Sequence, residues 1–152
     1  MDATFPTRAG RAGRAIGGLS MGGYGAMKLA LKHPGLFCSA NSHSGAVSLE
    51  RMVNNENAGW RDKMRRIFGE DAVGGDDPFA LALKGDAQTR PALKIDCGTE
   101  DFLLESNRAF HAHLEQHGVA HQYDEFPGGH EWSYWDTHVQ EALAFHRQNL
   151  AI

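Results

Sequence analysis

The sequence predicts an α/β fold, with a mostly parallel sheet covered by helices on both faces. Short apolar runs that favour strands alternate with longer runs of helix-forming residues, in the order strand, helix, strand, insertion, strand, helix, strand, helix. The composition is that of a globular domain, since 41% of the 152 residues are hydrophobic and 22% are charged. We therefore expect residues 1–152 to form a single domain with its own core.

The first half of the chain supplies two strands and a helix. Residues 13–19 are a small-residue apolar run typical of a buried strand. Residues 21–33 contain good helix formers and are stopped by a Pro-Gly pair. Residues 36–41 are the second strand candidate, and they run into a polar turn at 42–45.

Residues 46–90 are predicted to be a cap-like insertion. They hold a charged helix candidate at 60–68 and a short helix that begins after Asp77, a residue type typical of a helix N-cap.

The second half returns to the alternating pattern. Residues 92–97 are the third predicted strand, and 102–117 form an amphipathic helix with Leu103, Phe110 and Leu114 on one stripe. Residues 120–126 are the fourth strand and 131–150 the last helix. The expected inward residues of that helix are Trp132, Trp135, Val139 and Leu143.

Charge, hydropathy and cysteine content exclude several functional classes. Fifteen Lys and Arg against 19 Asp and Glu leave a net charge of −4 without a dense basic tract, so no nucleic-acid partner is expected. No apolar run approaches the ~20 residues of a membrane helix, so no membrane partner is expected. The two cysteines form no disulfide framework, and free thiols favour a cytoplasmic location. His113 and His117 share a helix face but have no third ligand in register, so no metal is expected.

Residues 18–22 read Gly-Leu-Ser-Met-Gly between a predicted strand and a predicted helix, which is typical of a nucleophile elbow. The sharp turn strains the backbone of Ser20 and demands minimal side chains two residues away, which Gly18 and Gly22 provide. The Met21 N–H then lies at the positive end of the helix, where it would stabilise an oxyanion. The alternative is a glycine-rich turn for packing or phosphate, although no P-loop lysine follows.

A serine nucleophile needs a base, and the base needs an orienting acid. Sites in such sheets lie at the carboxyl ends of the strands, and for this motif the chain order is Ser, acid, His. Asp101 follows the third strand and His130 follows the fourth, so we predict these two as acid and base. Asp96, within a strand, and Glu100, directed to solvent, are the alternative acids.

Three further residues at these turns, Leu19, His43 and Trp132, are candidates for a substrate pocket. A serine, an acid and a histidine need no cofactor for acyl transfer, so none is expected.

Three segments carry a resemblance to a known family: GLSMGGYGAMKLAL, CGTEDFLLESNRAFHAHLEQHGV and PGGHEWSYWDTHVQEAL. They resemble the esterase branch of the α/β-hydrolases, which includes tributyrin-esterase-like acetylesterases, S-formylglutathione hydrolase (esterase D), and acetylxylan and feruloyl esterases. The resemblance covers residues 13–148 and is greatest to the tributyrin-esterase-like group. It implies an α/β-hydrolase fold, hydrolysis of short-chain carboxylic esters, and Ser20 as nucleophile, Asp101 as acid and His130 as base.

The chain departs from that family before the nucleophile. Family members carry several strands there, and a loop among them supplies a second oxyanion-hole N–H, whereas Ser20 is only the twentieth residue here. The chain thus resembles an N-terminally truncated member that lacks the early strands. Because loss of one oxyanion donor costs roughly 10²–10³ in rate, we expect weak or no activity from the isolated chain. The uncovered sheet edge predicts association into a homo-oligomer.

These observations predict a serine hydrolase that cleaves small-molecule, short-chain carboxylic esters through an acyl-enzyme. The alternative enzyme is a thioester hydrolase of the S-formylglutathione type. The alternative outside the enzyme class is a catalytically impaired remnant that serves as a binding or assembly module.

Overall fold

Four parallel strands form the centre of the molecule. The computed structural model describes residues 4–69 and 75–151. In this part of the chain the sheet order is β1-β2-β3-β4, so neighbouring strands are also consecutive in sequence. Parallel pairing brings the carboxyl ends of all four strands to one edge. The strands are β1 (Ala15–Leu19), β2 (Ser39–His43), β3 (Ala92–Gly98) and β4 (Gln122–Phe126).

The helices follow the predicted alternation and cover both faces, so the α/β fold class is confirmed. They are α1 (Met21–Lys32), α2 (Leu49–Val53), α3 (Ala58–Phe68), α4 (Pro78–Ala82), α5 (Leu104–Gln116) and α6 (Trp132–Asn149), with a short 3₁₀ helix at Arg11–Gly13. Asp77 caps α4 as expected, because its carboxylate accepts hydrogen bonds from the amides of Phe79 and Ala80. α2 was not predicted from the sequence.

One face of the sheet packs against α1, α4 and α5 through an apolar core. Met27, Ile95, Phe110 and Leu114 are all fully buried in it. In α5 the inward leucine near the start is Leu104, because the predicted Leu103 is the N-cap residue of the helix. Burial of these side chains is the main force that holds these helices on the sheet.

The segment 46–90 contains α2, α3 and α4, while its residues 70–74 lie outside the described part of the chain. A second apolar cluster joins α2 and α3 to α1, with Leu49, Val53 and Met64 packed around Tyr24. The cap-like role of this segment and the single-domain organisation stay predictions.

The face of the sheet under α6 is unusually polar, which explains why the bounds of β2 differ from the predicted strand at residues 36–41. β2 begins at Ser39 and includes Ser42 and His43, which were predicted to lie in a turn. All five residues of β2 are buried, and distant partners bind the side chains of Ser39, Asn41 and His43, which face α6. Ser39 Oγ lies 2.8 Å from His146 Nδ1, and His43 Nδ1 lies 2.8 Å from Asp96 Oδ1.

The predicted inward stripe of α6 is mostly wrong. Trp135 is buried, but Trp132, Val139 and Leu143 are 74%, 40% and 62% exposed. α6 has two apolar stripes, and the one that contacts the sheet consists of Tyr134, Trp135, Ala142 and Phe145. The exposed stripe borders a cleft of about 450 Å³ along β1, which is the edge strand of the sheet in the described part of the chain.

Candidate active site

Ser20 occupies the tight turn between β1 and α1. Its φ of 53° and ψ of −116° are a conformation that a residue with a Cβ adopts only where its surroundings enforce it. Three backbone hydrogen bonds hold the turn: the Ser20 amide donates to the His43 carbonyl at 2.9 Å, and the Ser20 carbonyl accepts from the Tyr24 and Ala46 amides, both at 3.1 Å. The strained turn presents the hydroxyl at the carboxyl edge of the sheet.

The glycines around Ser20 are not equivalent. A Cβ at Gly18 would lie 2.5 Å from the backbone carbon and oxygen of Gly22, so no side chain fits there. A Cβ at Gly22 would meet nothing within 4 Å, so a side chain is excluded at position 18 and not at position 22. The constraint on the helix side falls on Gly23, whose Cβ would lie 2.6 Å from Ser42 Oγ.

The structure brings the predicted nucleophile, acid and base together. Ser20 Oγ lies 2.9 Å from His130 Nε2, and His130 Nδ1 lies 2.8 Å from Asp101 Oδ2. The imidazole therefore bridges the hydroxyl and the carboxylate with its two ring nitrogens. Parallel strands make this meeting possible, because Ser20, Asp101 and His130 follow the carboxyl ends of β1, β3 and β4.

Asp101 is held in a turn directly after β3. Its amide donates to the Gly98 carbonyl at 3.1 Å, and its Oδ1 accepts from the Leu103 amide at 2.8 Å. The Asp101 side chain is fully buried, so the Leu103 amide and the His130 ring satisfy a carboxylate that water does not reach. One oxygen is thus bound by the backbone, and the other faces His130.

This line of hydrogen bonds suits proton transfer from the serine. A His130 Nδ1–H that donates to Asp101 leaves Nε2 unprotonated, in position to accept the proton of Ser20. The Met21 amide is the first of α1, so it has no acceptor within the helix and remains a candidate oxyanion donor. The nearby Cys97 is no rival nucleophile, since burial and then the charge of Asp101 raise its pKa to about 12.

Aromatic and apolar side chains surround His130. The Phe102 ring lies 4.6 Å from the imidazole by centroids, and the Trp135 ring lies 4.9 Å away in an edge-to-face arrangement. Phe102 and Met21, which directly follow Asp101 and Ser20 in the chain, are 75% and 79% exposed. Exposed apolar side chains next to the site are suited to the apolar parts of a small ligand. Phe102 was not singled out from sequence, although its place directly after Asp101 was a usable signal.

The predicted pocket residues border one cleft, which lies beside the hydrogen-bonded series Ser20–His130–Asp101. Leu19, His43 and Trp132 all border this cleft along β1, together with Trp135 and other residues of α6. His43 is buried and bound to Asp96, which fixes its ring. Trp132 connects the cleft to the site, because its ring contacts Trp135 at 5.4 Å.

The two alternative acids have other partners. Asp96 is buried under α6 and accepts from Tyr134 Oη at 3.0 Å as well as from His43. Burial, and then the charge of Asp96, raise the pKa of Tyr134, so its hydroxyl remains a donor. Glu100 is exposed, as expected, but its carboxylate is bound by the Gly128 amide, an interaction that was not predicted from the sequence. Asp101 is therefore the carboxylate that contacts His130.

Residues 4–69 and 75–151 contain no cluster of three or more His, Cys, Asp or Glu residues with the geometry of a metal site. None of the helices in the same ranges is long and apolar enough to cross a bilayer.

Comparison with known proteins agrees with the fold and with the family resemblance of the sequence. The model of the family described as "Putative esterase" matches residues 1–146. An acetyl esterase of Caldicellulosiruptor saccharolyticus is 31% identical over 150 residues, which cover 91% of this chain and 56% of that protein. The chain thus spans little more than half the length of this curated relative.

Solved structures give the same result. An S-formylglutathione hydrolase of Staphylococcus aureus superposes with a TM-score of 0.82 at 30% identity, over 95% of this chain and 58% of that one. A fluorophosphonate-binding serine hydrolase of the same organism, solved with bound substrate, has a TM-score of 0.83 at 31% identity with the same coverage, 95% and 58%. The four-stranded sheet and its helices are therefore an α/β-hydrolase arrangement.

Proposed function

Because the chain belongs to this esterase family, we propose that it is a serine hydrolase that cleaves short-chain carboxylic esters through an acyl-enzyme. The observation that carries the proposal is the continuous hydrogen-bonded line from Ser20 through His130 to Asp101, with distances of 2.9 and 2.8 Å. Acyl transfer by serine requires this order of groups.

In the proposed first half-reaction, His130 Nε2 takes the Ser20 proton as Oγ attacks the ester carbonyl carbon. The carbonyl oxygen becomes an oxyanion that the Met21 N–H stabilises. His130 then returns the proton to the leaving alcohol, and the C–O bond to that alcohol breaks. Throughout these steps Asp101 holds the imidazole in its tautomer and stabilises its positive charge.

Hydrolysis of the acyl-enzyme repeats this sequence with water as the nucleophile. His130 takes a proton from a water molecule, which attacks the acyl carbon, and the free acid leaves as Ser20 regains its proton. All chemical steps use side chains and backbone of the described residues. The small acyl preference is supported by the acetyl esterase among the relatives.

Turnover of p-nitrophenyl esters by the purified chain tests the proposal. We expect slow release of p-nitrophenol from the acetate and butyrate, roughly 10²–10³ slower than by a full-length relative. We also expect loss of this residual activity in Ser20→Ala and a preference for the shorter acyl groups. A well-folded wild-type chain with no more turnover than Ser20→Ala would contradict the proposal.

A thioester is the second candidate substrate, favoured by the likeness to the staphylococcal S-formylglutathione hydrolase. The same attack by Ser20 would cleave a C–S bond and release a thiol. Parallel assays on p-nitrophenyl acetate and S-formylglutathione separate the two candidates. A marked preference for the thioester would replace the ester proposal.

Three narrower expectations stay predictions with tests of their own. Light scattering of the purified chain tests the expected association through the open edge of β1. Cell fractionation tests the expected cytoplasmic location. Comparison of the purified chain with a full-length relative tests the expected 10²–10³ loss of rate from one oxyanion donor. A chain as fast as that relative would contradict the last of these.

A further inference from the structure

Beyond the ends of β3 and β4, the chain continues to pair between the turn 98–101 and the loop 127–130. The last strand pair is Gly98 with Phe126. The Thr99 amide then donates to the Phe126 carbonyl at 2.9 Å, and the Glu100 amide donates to the Gly128 carbonyl at 3.0 Å. The two segments that carry Asp101 and His130 are thus fastened to each other.

Glu100 provides the outermost fastening, with its side chain as well as its backbone. The Gly128 amide donates to Glu100 Oε2, while the Thr99 hydroxyl donates to Oε1 at 2.8 Å. Both backbone polar groups of Gly128 therefore bind to one residue. These two donated bonds also lower the pKa of Glu100, so the carboxylate is charged at neutral pH.

The 127–130 loop depends on these hydrogen bonds because its backbone is unusual. Gly128 has a φ of 132°, a value that favours glycine, so the loop gains no support from a regular conformation. It also lies close to the Asp101 turn, since a Cβ at Gly98 would be 2.1 Å from the Gly128 carbonyl oxygen. A small change in the spacing of the two segments would act directly on the 2.8 Å contact of His130 with Asp101.

We propose that Glu100 is a positioning residue for His130. Its carboxylate holds the 127–130 loop against the turn that carries Asp101, and so it sets the alignment of the imidazole with Ser20. Glu100 lies next to Asp101 in the chain, and Gly128 lies two residues before His130, so the connection is short on both sides. This inference rests on the proposed function, because alignment matters only if His130 acts as a base.

The tests are the pair Glu100→Ala and Glu100→Gln, with Asp62→Ala as control. Alanine removes the acceptor, whereas the glutamine oxygen can still accept from the Gly128 amide. Asp62 is an exposed carboxylate on α3, outside the turn and the loop that carry Asp101 and His130. We expect kcat on p-nitrophenyl acetate to fall roughly 10- to 100-fold in Glu100→Ala with KM nearly constant, because misplacement of a reacting group acts on the chemical step.

A second readout does not depend on turnover. The His130 Nδ1 proton, bound to Asp101, gives a low-field NMR resonance that we expect to shift or broaden in Glu100→Ala and to return in Glu100→Gln. A Glu100→Ala chain with the kcat and the resonance of Asp62→Ala would overturn the inference, as would a glutamine variant as impaired as alanine.

Failure of the proposed function is recognised separately. In that case the wild-type chain has no turnover, but the resonance still reports whether Glu100 positions His130. If Glu100→Ala does not fold, Thr99→Val removes only the hydroxyl that donates to Oε1. We then expect a smaller fall in kcat of the same kind, and an unchanged kcat and resonance in Thr99→Val would overturn the inference.

Discussion

The Gly18→Ala substitution tests the account of the serine turn, with Gly22→Ala as its matched control. Both glycines stand two residues from Ser20, and both changes add one methyl group. A Cβ at Gly18 would lie 2.5 Å from two backbone atoms of Gly22, whereas a Cβ at Gly22 would have open space for at least 4 Å. The two variants therefore differ in packing and not in chemistry.

The expected effects have opposite signs. Carbon atoms in contact are about 3.5–4.0 Å apart, so the new methyl group at position 18 overlaps the first turn of α1 by about 1 Å. Relief requires a shift of backbone that carries Ser20, and overpacking of this kind costs about 1–3 kcal/mol of stability. A shift of about 1 Å at a reacting group also lowers the rate roughly 10²-fold. In Gly22→Ala, a helical alanine replaces glycine, which stabilises by about 0.5–1 kcal/mol.

Urea unfolding followed by tryptophan fluorescence measures the first effect, and turnover of p-nitrophenyl acetate measures the second. We expect a lower unfolding midpoint and little activity for Gly18→Ala, and a midpoint at or above wild type with retained activity for Gly22→Ala. Equal behaviour of the two variants, or greater damage from Gly22→Ala, would refute the reasoning from the turn geometry.

Two further predictions concern the polar face under α6. Burial, and then the nearby His43, lower the pKa of His146 below 6.5, so the folded chain binds this proton less readily than the unfolded chain. The contribution of the neutral His146 to stability is therefore fully present above the pKa of the unfolded chain and is lost as the pH falls below that value. The loss of stability between about pH 7.5 and pH 5.5 should be smaller in His146→Gln than in the wild-type chain. Melting temperatures that fall equally with pH in the two chains would contradict this. Tyr134→Phe removes the hydroxyl that binds Asp96 at 3.0 Å. We expect urea unfolding to show a loss of about 1.5–3 kcal/mol, as for hydrogen bonds to charged groups, and a change below about 0.5 kcal/mol would argue against an important role of this bond.

The sequence was informative where local chemistry decides the structure. α1 ends at Lys32, within one residue of its predicted end, because a run of helix formers is stopped by Pro34 and Gly35. The meeting of Ser20, Asp101 and His130 was also predictable, because parallel strands bring all their carboxyl ends to one edge.

The sequence was misleading where distant partners decide the structure. The five residues of β2 have no apolar alternation, and three of them, Ser39, Asn41 and His43, are buried with Asp96 or His146 bound to their side chains. Which apolar stripe of α6 faces the sheet is likewise decided by tertiary packing, since Val139 and Ala142 are equally compatible with a helical stripe. The bond from Gly128 to Glu100 joins residues 28 positions apart, so no local pattern indicates it.

The most direct test of the central claim is covalent labelling of the wild-type chain by a fluorophosphonate, read by intact mass and peptide mapping. Such a probe reports whether His130 activates Ser20, whatever the ester preferred. The account predicts one added group per chain, located on Ser20, with labelling abolished in Ser20→Ala and strongly slowed in His130→Gln. A folded chain that stays unlabelled, or one labelled at another residue, would contradict the claim and favour a binding or assembly module.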